Sequence, residues 1–146
     1  MAKGKLDMAA FNKSMNSLDK AFVERLDKIE KAFVKSMQTM EAEATAAAPV
    51  DLGNLKASIK QVEVGKLSYQ LRADVPYAAF VEFGTGPYVI VGSYDQYWQD
   101  IAEPFKSPNP SETNRKIEPQ PYFYPTVNKN IAKLKTRIKT ILSKNA

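Results

Sequence analysis

The sequence contains no cysteine and no histidine among its 146 residues. Without cysteine there is no disulfide scaffold, no thiolate nucleophile and no cysteine-ligated zinc, and the chain suits assembly in a reducing cytoplasm. Without histidine the Ser-His-Asp and Cys-His arrangements, imidazole general bases and imidazole metal ligands are all excluded, which argues against an enzyme and leaves no cofactor in prospect. Long apolar runs are missing as well. Nothing approaches the roughly 20 consecutive apolar residues of a membrane-spanning helix, and the charged start Met1-Ala2-Lys3-Gly4-Lys5-Leu6-Asp7 does not read as a signal peptide. We therefore expect no membrane partner. What remains, 44% hydrophobic and 25% charged residues, is ordinary for one folded domain spanning 1–146.

Glycine and proline are absent from Leu6 to Ala48. In that stretch Phe11, Met15, Leu18, Phe22, Leu26, Ile29, Phe33, Met37, Met40, Ala44 and Ala47 step by three or four, ten steps in 36 residues. A period of 3.6 predicts one amphipathic helix over 6–48, straight rather than supercoiled. At 1.5 Å per residue it runs on the order of 60 Å, longer than a domain of this size is wide. Part of its apolar stripe must then meet another surface. A neighbouring subunit is the simplest, and a helix bent back over its own sheet is the alternative.

A helix-hairpin core is expected over 49–87. Pro49 ends the first helix, and Asp51 offers a cap to a short second one carrying Leu52, Leu55 and Ile59 on one side. Gln61–Val64 and Leu67–Val75 then read as an antiparallel hairpin turning at Gly65-Lys66, with Leu67, Tyr69, Leu71, Ala73 and Val75 on its buried face. Tyr77–Phe83 reads as part helix, part strand, stopping at Gly84-Thr85-Gly86-Pro87. Residues 88–118 read as a loop excursion rich in aromatic residues and proline. A stiff proline-aromatic arm and a closing helix occupy 119–146, with Pro125 in the helix's first turn and Val127, Ile131, Leu134, Ile138 and Ile141 as its stripe. The fold class is α+β: a long N-terminal and a C-terminal helix packed on a small antiparallel sheet.

The candidate chemistry is thin. Ser17-Leu18-Asp19-Lys20 matches Ser-x-x-Lys, but the companion Ser-Asp-Asn and Lys-Thr-Gly patterns are missing. Gly84-Thr85-Gly86 lacks the rest of a phosphate-cradling motif and reads as a turn. Asp95, Asp100 and Glu103 fit no calcium loop, so no metal site is expected. Net charge is +5, and from Pro119 onward there are six basic residues and no acid: Lys129, Lys133 and Arg137 on one line of the helix, Lys135 and Lys139 on another, and Lys144. This reads as a solvated helix face or as a small, sequence-nonspecific nucleic-acid-binding surface.

Three ordered segments carry a family likeness. Ala48-Pro49-Val50-Asp51-Leu52-Gly53-Asn54-Leu55-Lys56-Ala57-Ser58-Ile59, Tyr77-Ala78-Ala79-Phe80-Val81-Glu82-Phe83-Gly84-Thr85 and Pro119-Gln120-Pro121-Tyr122-Phe123-Tyr124-Pro125 resemble the signatures of the neck and tail-completion ("gene product ten-like" tail-component) proteins of tailed double-stranded-DNA bacteriophages. The resemblance spans about 44–146. It departs at Leu52, where the family usually has threonine, and in the longer 88–118 connection. It implies a structural virion protein assembled in the host cytoplasm, a neck, tail-completion or tail-terminator component that joins connector and tail. Implied partners are copies of itself in a ring of six, with twelve as the alternative, neighbouring connector, stopper and tail proteins, and DNA passing through the lumen unread. For the ring contacts the residues we single out are Phe11, Met15, Phe22 and Phe33 of the long helix, Tyr94 and Trp98 of the excursion, and Tyr122 and Tyr124 of the arm. Gly84-Thr85 and Pro119-Gln120-Pro121 are read as backbone punctuation that fixes the sheet and sends Tyr122 and Phe123 inward.

Overall fold

A computed structural model describes residues 7–50, 52–85, 94–105 and 117–144. Its spine is α1 (Met8–Ala47), 40 residues without a break. Asp7 caps it, its carboxylate accepting from the N–H groups of Ala9 and Ala10. The last α1 turn hands the chain to Ala48 in an extended conformation ahead of Pro49, and α2 (Gly53–Ser58) turns Leu55 fully inward. The N-cap position of α2 is Leu52, without a side-chain cap, and the expected cap Asp51 lies outside the described residues.

Strands β1 (Ile59–Gly65) and β2 (Ser68–Ala73) form the antiparallel hairpin, a two-stranded sheet in register from Ile59 opposite Ala73 to Glu63 opposite Tyr69. The turn sits one residue later than expected. Gly65 pairs with Ser68, leaving Val64 as an extra residue, and the left-handed conformation falls on Leu67 at φ 54°. The hairpin lies on α1, where Phe33 stacks on Tyr69 with ring centres 6.4 Å apart and Glu41 accepts the Gln61 N–H at 2.8 Å. Tyr69, Leu71, Ala73 and Val75 alternate with exposed neighbours as the spacing predicts, though all four are only half-buried.

Two further expectations change. The Tyr77–Phe83 segment contains no strand; Ala78–Phe83 is a short helix, α3. The excursion contains α4 (Gln96–Ala102), capped by Asp95 through the Trp98 N–H, followed by a 3-10 turn at Glu103–Phe105. The rest of it, 86–93 and 106–116, lies outside the described residues, as do 1–6 and 145–146.

Helix α5 (Tyr124–Ser143) holds Pro125 in its first turn, as expected, and runs antiparallel along α1. Near its start Asn130 and Lys129 reach Glu43 at 2.7 and 2.9 Å, and at its end the Arg25 guanidinium donates to the Lys144 carbonyl at 3.1 Å. A cation is well placed there, because the last carbonyls of a helix carry partial negative charge. The core gathers at the other end, where Ala44, Ala48, Leu55, Ile59, Ala78, Val81 and Tyr122 pack together.

The second and third signature segments are clamped together, and both pack on the sheet residues Ile59, Leu71 and Ala73. Thr85 N–H donates to the Ile117 carbonyl, Ile117 N–H to the Thr85 hydroxyl, and Gln120 N–H to the Val81 carbonyl at 2.8 Å. Gly84 turns the chain between them at φ 72°, ψ −167°, a region open essentially to glycine alone. A methyl group there would lie 2.7 Å from the Ile117 carbonyl oxygen and 2.9 Å from Pro119. Gly84→Ala is expected to cost about 3 kcal/mol of stability, measured by urea denaturation.

Candidate assembly surface

The apolar stripe of α1 has two fates along its length. Met37, Met40 and Ala44 are buried, and Leu26, Ile29 and Phe33 are half-buried against α5 and the hairpin. Before Ala21 every described α1 residue is exposed. The reason is geometric: α5 ends opposite Arg25, so α1 overshoots it by roughly 25 Å at 1.5 Å per residue. Phe11, Met15, Leu18 and Phe22 stand on that overhang, with Phe22 63% exposed. This is the uncovered helix surface that the length argument requires, and the helix does not bend back to hide it.

The other residues singled out from the sequence sit differently. Phe33 is engaged by Tyr69. Tyr94 is buried with Phe83, Ala102 and Tyr124, and burial pushes its phenol up to about 12. Tyr122 is 2% exposed, its hydroxyl donating to the Ala78 carbonyl at 3.4 Å. These two have almost no side chain left to offer a neighbour. Trp98 and Tyr124 are half-buried against each other, ring centres 5.1 Å apart, in an aromatic cluster that fastens α4 to α3 and the arm. Tyr94 and Trp98 therefore serve the chain's own interior first, whereas Tyr97 is exposed.

The principal buried ion, Glu82, is not anticipated by the sequence reading. It is 3% exposed, and its two carboxylate oxygens accept the N–H groups of Tyr122, Phe123 and Tyr124 at 2.9, 2.9 and 3.0 Å. Helix α5 has no side-chain cap of its own, so an acid 40 residues upstream does that work. Burial raises the Glu82 pKa above the ordinary carboxylate value, and the three N–H bonds oppose that shift without cancelling it. The available signal was a single acid inside the apolar run Tyr77–Phe83.

The basic residues also regroup. Lys129 is occupied by Glu43, whose carboxyl is held below its ordinary range by hydrogen bonds from Lys129 and Asn130. Lys133 and Arg137 join Lys35 of α1 around a groove of about 170 Å³ between the two helices. Arg25, Lys28 and Lys144 line a second hollow farther along the same pair. The seam thus collects cations from both helices. Among the described residues no three acidic, histidine or cysteine side chains come together to hold a metal ion, and no helix is long and apolar enough to cross a membrane.

Among the described residues the geometry is an α+β fold with a helical spine, a two-stranded sheet and an exposed apolar helix end. Residues 9–84, just over half of the chain, match the family model described as "Bacteriophage HK97-gp10, putative tail-component", and the protein belongs to this HK97-gp10-like family. The match takes in the long helix and nearly all of the first two signature segments, and the third lies beyond it. No curated protein and no solved structure matches the chain significantly. Membership implies a bacteriophage tail component, a constituent of the virion in contact with other tail proteins.

Proposed function

We propose that the protein is a non-enzymatic ring subunit of the phage head-tail junction, a neck, tail-completion or tail-terminator component that joins connector and tail. The observation that carries this reading is the apolar overhang of α1. An exposed row of Phe11, Met15, Leu18 and Phe22 is costly for a free monomer and useful in an assembly, where each fully buried side chain of this kind contributes about 1.5–3 kcal/mol. Contacts between unlike surfaces of identical subunits close into rings when the rotation permits, and a six-fold ring suits a tail. Negative-stain imaging of particles labelled through this chain tests the reading: label confined to the neck or tail end supports it, and particles without copies there refute it.

The cationic seam supports a second, subordinate contact with nucleic acid. DNA threading such a ring would meet lysine and arginine side chains without being read, since phosphate contacts carry no sequence information. Free protein is expected to bind duplex DNA weakly and to release it at moderate salt, with log K falling by about 0.9 per phosphate contact for each decade of salt. Replacing Lys133, Arg137 and Lys144 together with glutamine should flatten that slope while leaving folding intact. Sequence-specific, salt-resistant binding in a band-shift titration would instead promote a nucleic-acid-binding function over the ring.

A further inference from the structure

We infer that the overhang of α1 docks in an apolar pocket between α3, α4 and the arm of a second copy, joining subunits head to tail. This rests on the ring reading above and names its interface. The pocket, about 200 Å³, is lined by Ala78, Ala79, Phe83, Trp98, Ile101 and Phe123. Aromatic contacts hold its walls: Trp98 lies 6.3 Å from Phe83 and 6.2 Å from Phe123, ring centre to ring centre. Ile101 of its lining is exposed, and so is Tyr97, whose ring centre lies 6.0 Å from that of Trp98.

The chain's own overhang does not reach this pocket. Ala44 packs in one cluster with Ala78 and Tyr122, both of which line the pocket, and Phe22 lies 22 residues back along a helix without a break. At 1.5 Å per residue the separation is about 33 Å. The two uncovered apolar surfaces therefore sit toward opposite ends of one subunit, the arrangement that a head-to-tail contact requires and a symmetric pair does not.

Charge agrees with the same pairing. From Tyr94 to Phe105 there are three acids, Asp95, Asp100 and Glu103, and no lysine or arginine. At the other end Arg25, Lys28 and Lys144 outnumber Glu24 around the place where α1 leaves α5, while the overhang itself is balanced, Lys13 and Lys20 against Asp19 and Glu24. The basic root of an apolar helix end would thus meet an apolar pocket whose α4 side carries acids on the next copy. Such complementarity fixes orientation and speeds encounter, and it disfavours the like-charged pairing of two basic roots.

The absence of cysteine makes a direct test available. Full-length Phe22→Cys and Ile101→Cys proteins, mixed and oxidised, should give the mixed disulfide dimer in excess of about ten-fold over either homodimer, less so at high salt. A chain carrying both substitutions should give a ladder, and a distant control, Lys66→Cys, should give only background. Predominant Phe22→Cys homodimers, trapping no better than the control, or Ile101→Cys linked in particles to a different tail protein would each overturn the inference. If trapping fails while particles still show a ring of this chain, the ring reading stands and its interface lies elsewhere. If the ladder forms but particles hold no ring, the head-to-tail contact stands and the ring reading falls.

Discussion

Glu82→Ala is expected to lower stability by about 4 kcal/mol, because it strands three backbone N–H groups at once, one buried and two part-buried, and removes the carboxyl group from the start of α5. Glu82→Gln should be nearly as harmful, at about 2–3 kcal/mol, since its amide nitrogen would bring a donor to face a donor. The pH dependence has a definite sign. The folded carboxyl has a raised pKa, so the folded state binds its proton more tightly than the unfolded chain does. The stability Glu82 contributes is fully present below the ordinary glutamate pKa and is lost in part as pH rises through the folded value. Urea melts of wild type and Glu82→Gln across mildly acidic pH should converge as pH rises. A difference that grows with pH would mean that the N–H bonds, not burial, dominate.

Phe22→Asp should leave the isolated subunit intact and abolish its assembly. The side chain is largely exposed, so the monomer's urea midpoint should move by no more than about 0.5 kcal/mol. In an assembly the new carboxylate would be stripped of water without a partner, at a cost of several kcal/mol. Complementation of a phage lacking the gene, scored as infectious particles, reads the second effect. Ser17→Ala, on the same overhang but outside the apolar row, should complement fully; failure of that variant would revive a catalytic reading of Ser17-Leu18-Asp19-Lys20.

The long helix was legible because eleven apolar positions at a period of 3.6 with no interrupting glycine or proline admit one local solution; the expected span 6–48 compares with Met8–Ala47. Pro125 likewise announced α5, since a residue without an N–H is tolerated in a first turn. The hairpin was legible as an element but not in its turn. Glycine is the default for a left-handed residue, yet Leu67 takes that conformation, at a cost of about 1–2 kcal/mol that the paired strands absorb. Helix α4 was missed because seven residues are too few to show a period.

The candidate surface was legible only in its α1 half. Helix length set against domain size exposed Phe11, Met15 and Phe22 from the sequence alone. Tyr94 and Tyr122 went the other way, because an aromatic side chain reads alike whether it packs within a subunit or between subunits, and only tertiary contacts separate the two. Glu82 and the seam of Lys35, Lys133 and Arg137 depend on residues far apart in the chain, which no local pattern registers. Asn130 belongs with them: its amide bonds to Glu43 and to the Thr126 carbonyl place a polar residue where a helical stripe leads one to expect an aliphatic one.

The central claim is that copies of this chain form a closed ring in the virion through the uncovered end of α1. Cryo-electron microscopy of assembled particles, reconstructed at the head-tail junction, tests it most directly. The account predicts a ring of this chain, six-fold where it meets the tail, with the first turns of each α1 lying on the adjacent subunit. A junction without this chain, or one holding it as isolated copies whose α1 ends stand free in solvent, would contradict it.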